Sequence, residues 1–129
     1  MTQWRGGFSL DDCTFKDTMV VPCPREIREY ETAEGRVPFK EWLFTLRDVQ
    51  ARAKIIARLK RLSFGNFGDC RFVGAGVYEL RIHFGPGYRV YFGEDKGVLI
   101  ILLCGGDKST QPRDIRKAQI LWNDYRERQ

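Results

Sequence analysis

Tyr78-Glu79-Leu80-Arg81-Ile82-His83-Phe84-Gly85-Pro86-Gly87-Tyr88-Arg89-Val90-Tyr91-Phe92 is the stretch on which the fold turns. Tyr78, Leu80, Ile82 and Phe84 alternate with Glu79, Arg81 and His83, the period of two of a half-buried strand. Gly85-Pro86-Gly87 is a turn, and Tyr88 to Phe92 resumes the alternation, so the segment reads as an antiparallel hairpin. A three-residue loop there pairs Phe84 with Tyr88, His83 with Arg89, Ile82 with Val90 and Arg81 with Tyr91. One side of the ribbon is then apolar, and the other carries Glu79, Arg81, His83, Arg89 and Tyr91 within cross-strand reach. Arg81, His83 and Arg89 repel one another unless an anion offsets them, which suits a phosphate. The plainer alternative is a solvated face on which Glu79 pairs with Arg81.

Downstream, Val98 to Cys104 is apolar at every position, as in a strand covered on both faces or lying centrally in a sheet. Gly105-Gly106-Asp107-Lys108-Ser109-Thr110 follows and offers N–H groups and a lysine to an anion, without the spacing of a P-loop. Thr110 can cap a last helix that has Pro112 in its first turn and an apolar face of Ile115, Ala118, Trp122 and Tyr125. Upstream, Phe39, Trp42, Leu43 and Leu46 share one helical face behind Pro38. After a break near Asp48, Val49, Ala53, Ile56, Leu59 and Leu62 keep helical spacing as far as the stop at Gly65-Asn66. Lys54, Arg58 and Arg61 form a basic stripe on another side of that second helix. Ile27 to Thr32 reads as a first strand. The order β-α-α-β-β-β-α predicts an α+β fold: a curved, mainly antiparallel sheet covered on one face by helices, with a helical hairpin and a C-terminal helix. Residues 1–24 show no period and read as an irregular extension, and residues 25–129 as one domain.

The chain has 129 residues, 22 of them Lys or Arg and 17 Asp or Glu, enough for one domain of ordinary size. The signs of charge separate along it. Residues 36–66 hold eight basic and two acidic groups, whereas residues 1–35 hold four and seven, so the middle of the chain is the part that attracts a polyanion. The longest apolar run is seven residues, far short of a membrane span, and residues 1–10 contain no stretch that reads as a signal peptide, so a cytoplasmic location is expected. Cys13, Cys23, Cys70 and Cys104 lack CxxC spacing and the chain has a single histidine, so no metal or other cofactor is expected. Cys104 reads as a small buried side chain.

The hairpin quoted above, followed by Leu102-Leu103-Cys104-Gly105-Gly106-Asp107-Lys108-Ser109-Thr110-Gln111 and Asp114-Ile115-Arg116-Lys117-Ala118, resembles the RelE/ParE superfamily of toxins, most closely its HigB-like, phage-derived branch of addiction module killer proteins. The resemblance runs from about Arg25 to Arg128 and includes Phe39, Trp42 and the turn from Asp48 to Arg52. It implies a toxin of a type II toxin–antitoxin system, held inactive by a small helix-turn-helix antitoxin from a neighbouring gene. It implies further a metal-free endoribonuclease that enters the ribosome and cuts mRNA, the 2′-hydroxyl attacking the adjacent phosphate. That chemistry needs a base, cations around the phosphate and an acid for the leaving oxygen.

Carried onto this chain, the resemblance gives transition-state stabilisation to Arg89, phosphate orientation to Arg81, and the part of second cation or acid to Lys108. Glu79 stands where RelE-like enzymes place a lysine, and no terminal tyrosine is an obvious catalyst. The base is therefore open. His83 is suited to it because an imidazole exchanges protons near neutral pH, although a lone histidine on a strand is more often structural. Asp107 can instead cap the last helix. Tyr91 can stack on a base or pack against Arg81, and Lys54, Arg58 and Arg61 would grip ribosomal RNA. The alternatives are a ParE-like, non-enzymatic inhibitor of DNA gyrase and a plain nucleic-acid-binding module.

Overall fold

The computed structural model describes residues 24–129. All of the extension read over residues 1–24 except Pro24 lies outside the described residues, as do Cys13 and Cys23. The elements are β1 (Glu26–Glu29), α1 (Pro38–Thr45), α2 (Val49–Ser63), β2 (Cys70–Phe72), β3 (Val77–Ile82), β4 (Tyr88–Asp95), β5 (Leu99–Asp107), a 3-10 turn (Lys108–Thr110) and α3 (Gln111–Glu127). The strands form one sheet in the order β1-β5-β4-β3-β2, in which only the β1–β5 pair is parallel. This is the expected α+β architecture with one strand more than the sequence pattern shows. β2 has three residues, too few for a period to register.

Helices cover both faces of the sheet, a correction to the one-face reading. On one face, Phe39 and Leu43 of α1 and Ile55 and Leu62 of α2 pack on Leu80, Ile82, Val90, Phe92, Ile100 and Leu102. On the other, Ala118 and Trp122 of α3 pack on Val77, Tyr91, Ile101, Leu103 and Cys104. β5 can serve both because its side chains alternate between two apolar layers, which is why it is hydrophobic throughout. Each layer has a tryptophan lying where a sheet residue has no side chain: Trp42 over Gly105 and Trp122 over Gly93. A Cβ at either glycine would overlap the indole, so these two residues set how closely α1 and α3 approach.

Two local expectations change. Asp48 caps α2, accepting from the N–H groups of Gln50 and Ala51 at 2.9 and 3.3 Å. The helix then buries Ala51, Ile55 and Leu62, while Val49 and Ile56 stay 67% and 54% exposed. The apolar face read from Val49, Ala53 and Ile56 is therefore largely a solvent face. With Ile55 and Ile56 adjacent, periodicity allows either rotation, and the small Ala51 lets the helix settle with Ile55 inward.

The hairpin register also moves by two residues. Ile82 pairs with Tyr88, Arg81 with Arg89, Leu80 with Val90 and Glu79 with Tyr91. The connection is five residues long, because Phe84 donates to the Ile82 carbonyl and Gly87 to that of Phe84, closing the turn early. Gly85 and Gly87 have φ of 57° and 84°, a region that favours glycine. A shift of two preserves which side each strand residue takes. It does, however, move His83 out of the strand.

No helix among the described residues is long and apolar enough to cross a membrane.

Candidate functional site

The polar side of the hairpin is closed. Glu79 is fully buried and stands at its centre, accepting from Arg81 Nε at 3.1 Å, Tyr91 Oη at 3.0 Å and Gln111 Nε2 at 2.8 Å. Arg89 Nε lies 3.4 Å from the same carboxylate. Burial pushes the Glu79 carboxyl up, but the bonds from Gln111, Arg81 and Tyr91 and the Arg89 charge outweigh it and hold the group below the usual carboxylate range. Burial, and then the Glu79 charge, push the Tyr91 phenol up. The anion that offsets the arginines is thus supplied by the strand itself.

This overturns two readings. Tyr91 has no exposed surface, so it packs and hydrogen-bonds rather than stacking on a nucleobase. Arg89 is 9% exposed beneath α3 instead of projecting into solvent, and its Nε and Nη1 have no hydrogen-bond partner. The physical reason in both cases is the second helical layer, which the hairpin sequence does not announce.

The open basic surface lies elsewhere. A cleft of about 600 Å³ runs between the C-terminal half of α2, the loop before β2 and the end of β3, and is lined by Lys54, Arg58, Arg61, Asp69, Arg81 and His83 among others. It brings together the three residues of the basic stripe and two of the four catalytic candidates. Within it, Arg58 has a different task from its neighbours. Its guanidinium donates to the carbonyls of Phe67 at 3.3 Å, Asp69 at 3.4 Å and Arg81 at 3.2 Å, tying helix, loop and sheet together. Burial, and then the nearby Arg61, lower its pKa. Lys54 Nζ sits over the Phe84 ring, 5.2 Å from the centroid, and Arg61 is exposed.

His83 Nε2 lies 2.5 Å from Asp69 Oδ2. With the Asp69 carboxylate as acceptor, Nε2 is the donor of this bond, and Nδ1 is the ring nitrogen that it leaves unengaged. No local signal marks Asp69, which stands 14 residues before His83 and meets it only through the β2–β3 pairing.

Lys108 is exposed on the 3-10 turn and is not among the residues lining the cleft. Its stem lies beside Gly87 of the hairpin turn. Asp107 caps that turn, accepting from the Ser109 N–H at 2.9 Å, and Thr110 bonds Asp114 instead of capping α3 with its side chain. Burial pushes the thiols of Cys104 up to about 12 and Cys70 up to about 11, away from nucleophilic use. The four catalytic candidates therefore do not form one site: Arg81 and His83 both line the cleft, with the Arg81 guanidinium turned to Glu79, while Arg89 lies under α3 and Lys108 on the turn.

Residues 41–123 match a family described as "Phage derived protein Gp49-like (DUF891)". The matched span contains every residue of the cleft and of the Glu79 cluster. An uncharacterized protein of Haemophilus influenzae is 59% identical over 83 residues, which is 64% of this chain and 84% of that protein. A phage-derived family is what the resemblance implies at its coarsest level.

Proposed function

The chain belongs to the phage-derived Gp49-like family, and from that premise we propose that it is the toxin of a type II toxin–antitoxin system, of the RelE/HigB-like kind, acting as a ribosome-dependent endoribonuclease on mRNA. The observation that carries the reading is the cleft: Lys54, Arg61, Arg81 and His83 line it with Asp69 as the single carboxylate. Glu79 draws Arg81 and Arg89 inward, whereas Lys54 and Arg61 are exposed at the cleft, where the phosphates of RNA would supply a counter-charge.

The chemistry needs no cofactor. The 2′-oxygen attacks the adjacent phosphorus, the P–O5′ bond breaks, and a 2′,3′-cyclic phosphate and a 5′-hydroxyl result. Lys54 and Arg61 hold the strand and His83 is the candidate base with an open approach, whereas Arg81 shapes the cleft through the carbonyl that Arg58 grips, its guanidinium being held by Glu79. Arg89 acts from beneath, sharing Glu79 with Arg81 and so fixing where that guanidinium lies. Lys108 is a second cation for a strand that continues past the hairpin turn. The cognate antitoxin, a small helix-turn-helix protein, neutralises by covering the cleft.

Expression without antitoxin should stop protein synthesis before DNA synthesis, read by pulse labelling, and leave mRNA fragments with 5′-hydroxyl ends. Early loss of DNA synthesis with translation intact would point to gyrase poisoning instead.

A further inference from the structure

We propose that Asp69 is the positioning residue of the cleft, orienting the His83 ring so that Nδ1 takes the proton of the attacking 2′-hydroxyl; this rests on the ribonuclease reading above. Four observations lead to it. The bond from Nε2 to Asp69 favours the tautomer that leaves Nδ1 open and restrains the ring, which a base on an exposed turn would otherwise lack. The side chain of His83 is 74% exposed at the cleft, so a strand can reach the free nitrogen.

The main chain of Asp69 is itself held on two sides. Its carbonyl accepts from the Arg81 N–H at 3.0 Å and from Arg58, so helix α2 and strand β3 grip the residue through its main chain and leave its carboxylate for His83. Gly68, at φ 62°, makes this geometry possible, since a Cβ there would come within 2.9 Å of the Arg58 guanidinium. Finally, the charged side chains that share the cleft with the ring are Lys54, Arg58 and Arg61, all cationic, with the Arg81 guanidinium held by Glu79, and Asp69 is the acid among them. In that company a bound phosphate is attracted, and the carboxylate offsets the charge that forms on the imidazole.

The step balances. The 2′-hydroxyl proton passes to Nδ1, the O2′–P bond forms as the P–O5′ bond breaks, and the 5′-oxygen takes a proton from solvent at the cleft mouth.

His83 is the chain's single histidine, so its ring N–H proton is unambiguous in NMR spectra. The wild type should show that proton as a downfield signal exchanging more slowly with water than in Asp69→Asn. On programmed ribosomes, Asp69→Asn should slow mRNA cleavage by at least about tenfold with an unchanged melting temperature. His83→Gln should slow it at least as much, and the double variant no more than His83→Gln alone. Equal ring-proton exchange in the wild type and Asp69→Asn, full cleavage by Asp69→Asn, or independent losses that multiply would overturn the pairing while leaving the ribonuclease reading intact. Wild-type protein that leaves ribosome-bound mRNA uncut would overturn both.

Discussion

The two polar regions of this molecule use the same side-chain types to opposite ends. Beneath α3, Arg81, Arg89, Tyr91 and Gln111 converge on one fully buried carboxylate, which pairs with both guanidinium groups and leaves Arg89 Nε and Nη1 without a hydrogen-bond partner. Across the sheet edge, Lys54, Arg61 and His83 face a cleft with Asp69 as the acid among them. A buried cation must find its counter-charge within the fold, because leaving it bare costs several kcal/mol; a cation at an open cleft has water as an alternative and keeps its charge for a partner. Arg81 belongs to both regions, its side chain to the first and its carbonyl to the tie that shapes the second.

The sharpest way to break this contrast is Glu79→Gln. It leaves two guanidinium groups without their anion and should cost about 3–5 kcal/mol in urea unfolding. The same carboxyl should set the acid limit of the wild type. Its folded pKa is depressed, so its contribution is complete above the unfolded value of about 4.3 and is lost as the pH falls through the folded value. Unfolding followed from pH 6 to pH 2 should therefore show a loss that Glu79→Gln lacks.

Arg89→Ala comes next. From the hairpin alternation alone the arginine points away from the apolar face and its removal leaves the melting temperature intact. In the structure it is buried beside Glu79, which would keep Arg81, and the variant should lose about 2 kcal/mol of stability together with its toxicity. Thermal melting beside a growth assay separates the two expectations.

The smallest effect on the fold should come from the cleft. Lys54→Ala with Arg61→Ala should change stability by no more than about 1 kcal/mol, the Lys54 contact with Phe84 included. RNA affinity should nevertheless fall, and the slope of log affinity against log salt should lessen by about 1.4 for two lost phosphate contacts on a single strand. Arg58 is kept out of this pair because its three carbonyl partners make it part of the framework.

Much of the fold is legible in the residues. The two-residue alternation around Gly85-Gly87, the apolar run Val98 to Cys104, Pro38 and Asp48 ahead of the first two helices, and the Ile115–Tyr125 face each specify an element from information a few residues long. β2 is missed because three residues hold no period, and α2 is rotated because its apolar residues run nearly all round it. The site is less legible. Periodicity places Lys54, Arg58 and Arg61 on one side of a helix and Glu79, Arg81, Arg89 and Tyr91 on one side of a hairpin, and both placements stand. What it does not reveal is which of those sides meets water.

By itself, then, the sequence determined the elements, their order, the hairpin's two sides and the concentration of positive charge in its middle third, since each is a matter of local pattern. Only the tertiary structure decided that α3 closes over Arg89 and Tyr91, that Glu79 gathers both hairpin arginines from within, and that Asp69 meets His83. Those outcomes depend on how far apart in space residues end up that lie 10, 14 or 32 apart in the chain, as Arg89 and Glu79, His83 and Asp69, and Gln111 and Glu79 do. Burial and ion pairing are settled by that distance and by the layer above, and neither is a property of a sequence window.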